Sequence, residues 1–459
     1  MIIKIPNEVQ YIIETLQSNG HQAYIVGGCV RDSVLGKESK DWDICTSALP
    51  EQTMKCFDGH RIIETGLRHG TITLILNHMP FEITTYRIDG KYSDNRRPDT
   101  VEFVSSLKAD LSRRDFTINA MAYNPDEGIV DFFFGMNDLQ NGIIRCVGDA
   151  GQRFQEDALR IMRALRFASV LGFSIDGDTS KAMLDNCILL KNIAVERIAS
   201  EINKMIIGDG FSGIILNHLP VIAEIIPEIM LMNGFEQNNP YHCHDVLKHS
   251  LLSIDHAPKD VVIRLTMLFH DIAKPKCYTE SNGAGHFYGH PQISSEMAKT
   301  ILLRLKYDNN TIKGVTELIL YHEADIQPKR EHIKRWLNKF GEAGLRQLIE
   351  VKRADAMAQS VLSHKKKLGA LDKISGLINE IIGQQQCFSL KELAVNGNDL
   401  LAAGFEEGAR IGVILNRLME MVINEKVKNN KDELMKQAHR LSSSSLNAAH
   451  DNALDEVFL

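Results

Sequence analysis

The sequence predicts an α+β chain, with a mixed β-sheet and helices in the N-terminal part and an all-α remainder. Three observations carry this. From residue 24 to 147 short β-rich runs alternate with turns, and after about residue 150 almost everything to 430 has helical periodicity. At 459 residues the chain exceeds one ordinary core, which predicts two to four domains.

Residues 6–19 carry apolar Val9, Ile12, Ile13 and Leu16 at helical spacing, ended by Asn19-Gly20. Residues 24–26 form a short apolar run that reads as a buried strand, broken by Gly27-Gly28, and residues 30–35 read as the start of a helix. Residues 70–76 and 81–87 have strand pattern and predict a hairpin joined by residues 77–80. The stretch 89–98, with Gly90, Asp94, Asn95 and Arg96-Arg97-Pro98, is too polar for a core element and reads as a mobile loop. Further strands are expected at 130–134 and 143–147. Helices are expected at 156–171 and 194–207, and residues 386–440 form a last helical segment. Residues 441–459 are Ser- and Asn-containing and read as a disordered tail.

Hydrophobic residues at 44% and charged residues at 24% match a soluble globular protein. No apolar run reaches membrane-spanning length; residues 213–231 come nearest and are broken by Asn217, His218, Pro220, Glu224, Pro227 and Glu228. The eight cysteines include no Cys-x-x-Cys pair, which argues for a reducing compartment and against a zinc ribbon. The expectation is a cytoplasmic protein with no membrane partner. A net charge of −7 argues against a general nucleic-acid binder, so any such contact must come from local patches. Candidates are Arg96-Arg97, Arg113-Arg114, the Arg160/Arg163/Arg166 set, and residues 329–335 and 365–367, each of which equally describes a solvated face. The oligomeric state is not legible.

The chain is organised around residues 24–46. Asp41-Trp42-Asp43 places two carboxylates at i and i+2, on one face of a strand. Like charges side by side repel, so such a pair calls for a cation between them. Hard oxygen ligands beside a glycine turn, here Gly27-Gly28, suit Mg²⁺ holding a triphosphate. Taken alone, Asp-x-Asp also describes a polar strand end. A third acid, Glu82, lies in a run with strand pattern; if that strand adjoins Asp41 and Asp43, three carboxylates converge as in two-metal nucleotidyl transfer.

Two further stretches carry charge in a pattern. Residues 111–120 place Arg113, Arg114, Asp115 and Asn119 at helical spacing, suited to phosphates and a ribose, or to a charged helix start. In residues 156–163, Asp157 and Arg160 at i, i+3 are expected on one helix face. A surface salt bridge is the ordinary explanation. The sharper one is base selection: a carboxylate beside a guanidinium offers an acceptor beside a donor. That matches the exocyclic amine and ring nitrogen of cytosine and adenine, and mismatches uracil and guanine.

The ordered set Gly27-Gly28-x-Val30-Arg31-Asp32, Asp41-x-Asp43, residues 113–120, Glu156-Asp157-x-x-Arg160 and Ala194-Val-Glu196-Arg197-Ile resembles the motifs of class II CCA-adding tRNA nucleotidyltransferases and bacterial poly(A) polymerases. The likeness covers roughly residues 20–205 and resumes at 393–414. It implies a nucleotidyltransferase head (1–147), a helical neck that selects the base (148–210), a helical body (211–375) and a helical tail (376–440) that hold the tRNA acceptor arm. It implies Asp41, Asp43 and Glu82 as catalytic acids, with Asp41 and Asp43 binding Mg²⁺. Gly28, Arg31, Arg114, Asp115, Asn119, Asp157, Arg160, Arg163 and Arg166 are the implied nucleotide-binding set, with CTP and ATP as substrates. The loop 89–99 matches the one associated with the final A addition, which argues against a CC-only enzyme.

A second constellation follows. His249, His270-Asp271 and Asp355 resemble, in order, the ligands of HD-superfamily metal-dependent phosphohydrolases, and His290 and His322 would complete a dinuclear site or bind phosphate. Imidazoles with carboxylates suit Mn²⁺, Fe²⁺, Ni²⁺ or Zn²⁺. The same residues also fit an inactive scaffold that holds tRNA. The leading expectation is CCA addition with pyrophosphate release. The alternatives are A addition alone or poly(A) synthesis, and an HD phosphohydrolase whose head is vestigial.

Overall fold

The computed structural model describes residues 2–39, 41–90, 92, 98–238, 244–281 and 284–443. Most of the polar loop 89–98 and nearly all of the tail 441–459 thus lie outside the described residues. The chain divides into two compact units, Met1–Pro227 and Glu228–Leu459.

Among the described residues of the first unit, the first nine strands in chain order are β1 (Ala23–Val26), β2 (Ile44–Thr46), β3 (Arg61–Ile63), β4 (Thr71–Leu76), β5 (Met79–Thr85), β6 (Arg87–Asp89), β7 (Val101–Phe103), β8 (Met121–Asn124) and β9 (Gly128–Asp131). Seven of them form one sheet in the order β3-β4-β5-β2-β1-β8-β9, and β6 pairs with β7 as a separate hairpin. The sheet is mixed because β2 pairs parallel with β5 and antiparallel with β1. Every residue of β1 is buried, as a continuous apolar run at the sheet centre requires. β4 alternates half-buried and buried residues, as a strand with one covered face should. The helix Asn7–Ser18 buries Val9, Ile12, Ile13 and Leu16, the apolar stripe read from its spacing.

Several local expectations are corrected. The hairpin turn is Asn77-His78 alone, both with positive φ (49° and 65°), the tight turn that matches strand twist. Met79 and Pro80 therefore belong to β5. The strand expected at 130–134 ends at Asp131, because the Asp131 carboxylate accepts the N–H groups of Gly135 and Met136 and turns the chain. The strand expected at 143–147 shrinks to Ile143–Ile144, paired with Ser174–Ile175. Residues 113–119 do not form a helix: Leu107–Ser112 ends there, and a single 3₁₀ turn, Thr117–Asn119, follows. The helix expected over 156–171 is two helices, Ala150–Glu156 and Leu159–Leu171, separated by an extended Asp157. Asp157 breaks the run because its carboxylate accepts the Leu159 N–H at 3.1 Å and so starts the second helix. Gly172, at φ 72°, ends that helix in the left-handed conformation.

The second unit is helical apart from one small hairpin, Thr279–Ser281 with Ala284–His286. The helices Val246–His256, Val261–Phe269, His290–Arg304, Asn309–Tyr321 and Arg330–Ala358 pack around a common apolar core, the last of them bent at Gly341. A separate cluster of Leu400, Ile414, Leu418 and Leu434 joins the last three helices. No helix among the described residues is long and apolar enough to cross a membrane.

Candidate active site

The pairing of β2 with β5 matches Ile44 to Ile83, so Asp43 and Glu82 stand side by side one step ahead of the pair. Asp41 and Asp43, expected on a strand, lie just before β2, which begins at Ile44, although the Asp43 carbonyl still accepts the Val26 N–H at 3.0 Å. Burial pushes the Asp43 carboxyl up, Arg114 draws it back, and Asp41 adds to the rise. Glu82 is raised by burial and then by Asp43 and Asp41. The three acids therefore feel one another, and a cation between them would relieve both the burial cost and the repulsion.

Facing this edge is the Gly27 turn. Gly27 has φ 85°, and a Cβ there would stand 3.1 Å from Arg114 Nη1. Glycine thus supplies both the backbone angle and the space for the guanidinium. The Arg31 guanidinium donates to Asn119 Oδ1 at 2.6 Å, and the Asn119 amide donates to Asp115 Oδ1 at 3.1 Å. Asp115 Oδ2 accepts from Arg163 Nε at 2.8 Å and from Nη2 at 2.5 Å. Burial alone would raise the Asp115 carboxyl, but Arg163 and Asn119 outweigh it and hold it at about 2. This chain of contacts ties the Gly27–Gly28 turn to the helix Leu159–Leu171.

A cavity of about 530 Å³ opens between these elements. It brings together Gly28, Arg31, Asp41, Asp43, Arg114, Asp115, Asn119, Arg163 and Arg166. Glu82, Asp157 and Arg160 are not among its lining residues. Asp157 and Arg160 do not pair with each other as one helix face would require. Arg160 donates to Glu156 Oε2 at 2.8 Å and to the Arg113 carbonyl at 3.0 Å, while Asp157 meets Arg197 at 3.5 Å. Both still border the cavity electrostatically, since Arg160 helps lower Asp115 and Asp157 helps raise Arg163.

In the second unit the expected HD residues converge. Asp271, 1% exposed, is the hub. Its Oδ2 lies 3.3 Å from His270 Nε2, 3.6 Å from His249 Nε2 and 2.7 Å from Lys274 Nζ. Its Oδ1 lies 3.2 Å from His290 Nε2 and 3.9 Å from His322 Nε2. Asp355 Oδ1 is 2.9 Å from His249 Nε2. His270, His290 and His322 each bring Nδ1 to a backbone carbonyl three residues back, at 2.8, 2.9 and 2.7 Å. A carbonyl only accepts, so Nδ1 carries a hydrogen and Nε2 is the ring atom turned inward, the arrangement that orients metal-ligating imidazoles. His270 Nε2, His290 Nε2 and Asp271 Oδ1 are buried facing one another, with no hydrogen-bond partner beyond that cluster among the described residues. Three overlapping groups meet ligand spacing: His249/His270/Asp355, His270/Asp271/His322 and His290/His322/Glu323. These donors fit a divalent metal better than a satisfied polar core, which leaves few such atoms orphaned.

Residues 23–145 match the family described as "Poly A polymerase head domain", residues 172–229 "Probable RNA and SrmB- binding site of polymerase A", and residues 286–438 "tRNA nucleotidyltransferase domain 2 putative". A CCA-adding enzyme of Leuconostoc mesenteroides is 31% identical over 440 residues, covering 95% of this chain and 97% of that protein. The chain belongs to the CCA-adding enzyme family. A CCA-adding enzyme of Lactiplantibacillus plantarum is 47% identical over 235 residues, 49% of this chain and 57% of that relative. The crystal structure of the Bacillus stearothermophilus CCA-adding enzyme in complex with CTP superposes with a TM-score of 0.67 at 28% identity, over 96% of this chain and all of that one (100%). Nucleotidyltransferases of this family use divalent metal ions.

Two residues that sequence reasoning missed hold the arginines around the cavity. Asp110, fully buried (0% exposed), accepts from Arg113 at 2.9 and 3.1 Å, lies 3.6 Å from Arg114 and accepts the Arg87 N–H. It thereby fixes the Arg113-Arg114 pair to β6. Glu201, 6% exposed on the helix Val195–Ile206, holds Arg166 at 2.7 Å. Asp110 is signalled only by its helical distance from Arg113-Arg114, whereas Glu201, 35 residues from Arg166, carries no such signal.

Proposed function

We propose that this chain adds CCA to the 3′ end of tRNA from CTP and ATP without a nucleic-acid template, releasing pyrophosphate. The observation that carries the reading is the cavity in which Asp41 and Asp43, with Glu82 on the adjoining strand, face an arginine-rich wall from the RRD motif and the neck helix. Its volume, about 530 Å³, suits a nucleoside triphosphate. Asp41 and Asp43 would hold Mg²⁺, and Glu82 completes their acidic edge. Bound divalent ions supply Lewis-acid activation of the 3′-hydroxyl and neutralise the triphosphate. Arg31, Arg114, Arg163 and Arg166 bind phosphate charge, Gly28 lets backbone approach it, and Asp115 with Asn119 orients Arg31 and Arg163. Asp157 and Arg160, engaged here with Arg197 and Glu156 outside the cavity lining, would supply the acceptor–donor pair that accepts cytosine or adenine once turned to the base. Arg160 must exchange part of its Glu156 contact for the base, which makes Glu156 the restraint on its motion. In this reading the head spans 1–147, the neck 148–210, the body 211–375 and the tail 376–440, the last two holding the acceptor arm of tRNA.

Extension of tRNA lacking its 3′ end separates this reading from its rivals. CTP alone should add two residues, ATP alone none, and both together three, as read on a sequencing gel. Addition of A alone, or of a long A tract, would replace CCA addition by the A-adding or poly(A) alternative. In the same assay Asp157→Ala is expected to admit UTP, with C-over-U selectivity falling by about 10- to 100-fold, the worth of a lost bidentate base contact of roughly 1–3 kcal/mol. Unchanged selectivity would remove Asp157 from base reading.

A second reading rests on its own observation, the inward-turned imidazoles gathered on the buried Asp271 carboxylate. It assigns to His249, His270, Asp271 and Asp355, with His290 and His322, a transition-metal site that hydrolyses phosphoesters. Of Mn²⁺, Ni²⁺, Fe²⁺ and Zn²⁺, the imidazole-rich donor set favours none by type alone.

A further inference from the structure

Phe167 reads from the sequence as one more apolar residue of the neck helix. It is 7% exposed, yet it lines the nucleotide cavity, and its surroundings are charged. The Arg166 guanidinium carbon lies 3.9 Å from the ring centroid, that of Arg31 5.0 Å and that of Arg163 5.3 Å. Phe116 meets the same ring edge-on at 5.8 Å and 81°, which fixes the ring plane. The three arginines come from two places: Arg31 from the short helix after the Gly27 turn, Arg163 and Arg166 from the neck. Each has its own carboxylate, Asp32 at 2.8 Å, Asp115 at 2.5 Å and Glu201 at 2.7 Å. No one carboxylate joins all three, but the ring does. Three guanidiniums this close repel, and burial followed by the charges of Arg163 and Arg31 lowers the Arg166 pKa against the pull of Glu201. An aromatic face carries negative quadrupole charge and attracts cations without neutralising them, so the arginines keep their charge for a ligand.

We propose that Phe167 is a positioning residue of the nucleotide site, its ring gathering Arg31, Arg163 and Arg166 into one preassembled array for the phosphates of the incoming nucleotide. The proposal rests on the reading that this cavity takes CTP and ATP. An aliphatic residue of similar volume would fill the same space and leave the arginines to spread apart. Because the array acts on the bound nucleotide before the chemical step, its loss should raise KM more than it lowers kcat.

The test replaces Phe167 in the full chain with mono-, di- and trifluorophenylalanine, which keep ring size while draining the negative face. Wild-type extension of tRNA with CTP and ATP first establishes the underlying activity. KM for both nucleotides should then climb stepwise, reaching about tenfold at the trifluoro ring with kcat within about twofold, and Phe167→Leu should match the trifluoro variant. The thermal midpoint, followed by circular dichroism, should stay level across the fluorinated series. An active enzyme with a flat KM series overturns the role of Phe167 and leaves the function standing. A wild-type protein that does not extend tRNA overturns both.

Discussion

Replacing Asp43 with alanine is expected to lower nucleotide incorporation into tRNA by at least about a thousandfold, since a metal ligand at the reacting phosphate supplies several kcal/mol of charge stabilisation. The fold should survive. Burial raises the Asp43 carboxyl, so its folded pKa lies above the unfolded value. A carboxyl shifted in that direction costs stability once pH exceeds its unfolded pKa, because the folded state holds the ionised form less well. At neutral pH without metal, the alanine variant should therefore melt at or above the wild-type temperature. The wild type should gain stability on adding Mg²⁺, and the variant should gain much less. Turnover within about tenfold of wild type would place the chemistry elsewhere.

The second large effect belongs to the other unit. Asp271→Asn is expected to weaken Mn²⁺ or Ni²⁺ binding by at least about a hundredfold, measured by calorimetry, because one oxygen faces His249 and His270 and the other His290 and His322. Asparagine keeps the volume and a hydrogen-bond acceptor for Lys274, whose Nζ lies 2.7 Å from the carboxylate and 2.9 Å from Gln237. That matters because a buried ammonium stripped of its partner destabilises a fold by about 3–5 kcal/mol. Metal-dependent hydrolysis of a simple phosphodiester should vanish with the metal, while CCA addition in Mg²⁺ continues. A wild-type protein that binds none of the four transition metals would leave the cluster as a scaffold. Hydrolysis that persists in Asp271→Asn would move the activity to other residues.

The two variants together separate the readings. Loss of nucleotide addition in Asp43→Ala with hydrolysis intact assigns the activities to different units. Loss of both in either variant would contradict the division of labour proposed above.

Much of the nucleotide site was legible because it is local. Gly27-Gly28, Asp41-x-Asp43 and Arg113-Arg114-Asp115 are each written within a few residues, so spacing alone reveals them even though their partners lie across the fold. The order of the motifs was enough to find the family. The helical character of the second unit was equally visible, since apolar stripes at helical spacing need no knowledge of their partners. What misled was the assumption of uniform helix. Asp157 looks like a helix residue by neighbourhood, but its side chain competes for the Leu159 N–H and breaks the run, an outcome that propensity alone does not decide.

By itself, the sequence determined which residue types this protein has for chemistry: paired acids beside a glycine turn, arginines on the neck, histidines and aspartates strung from 249 to 355. Only the tertiary structure decided which of them meet. Glu82 reaches the acids because β5 docks parallel to β2, a register set by the burial of both strands. His249, His270, His290 and His322 gather on Asp271, with Asp355 beside His249, only because five helices pack together. Phe167 gave no sign at all, since an aromatic at helical spacing reads as core, and Asp110 only its helical distance from Arg113-Arg114. Their roles come from what lies across the fold, and that is long-range packing, to which neighbouring residues in the chain contribute little.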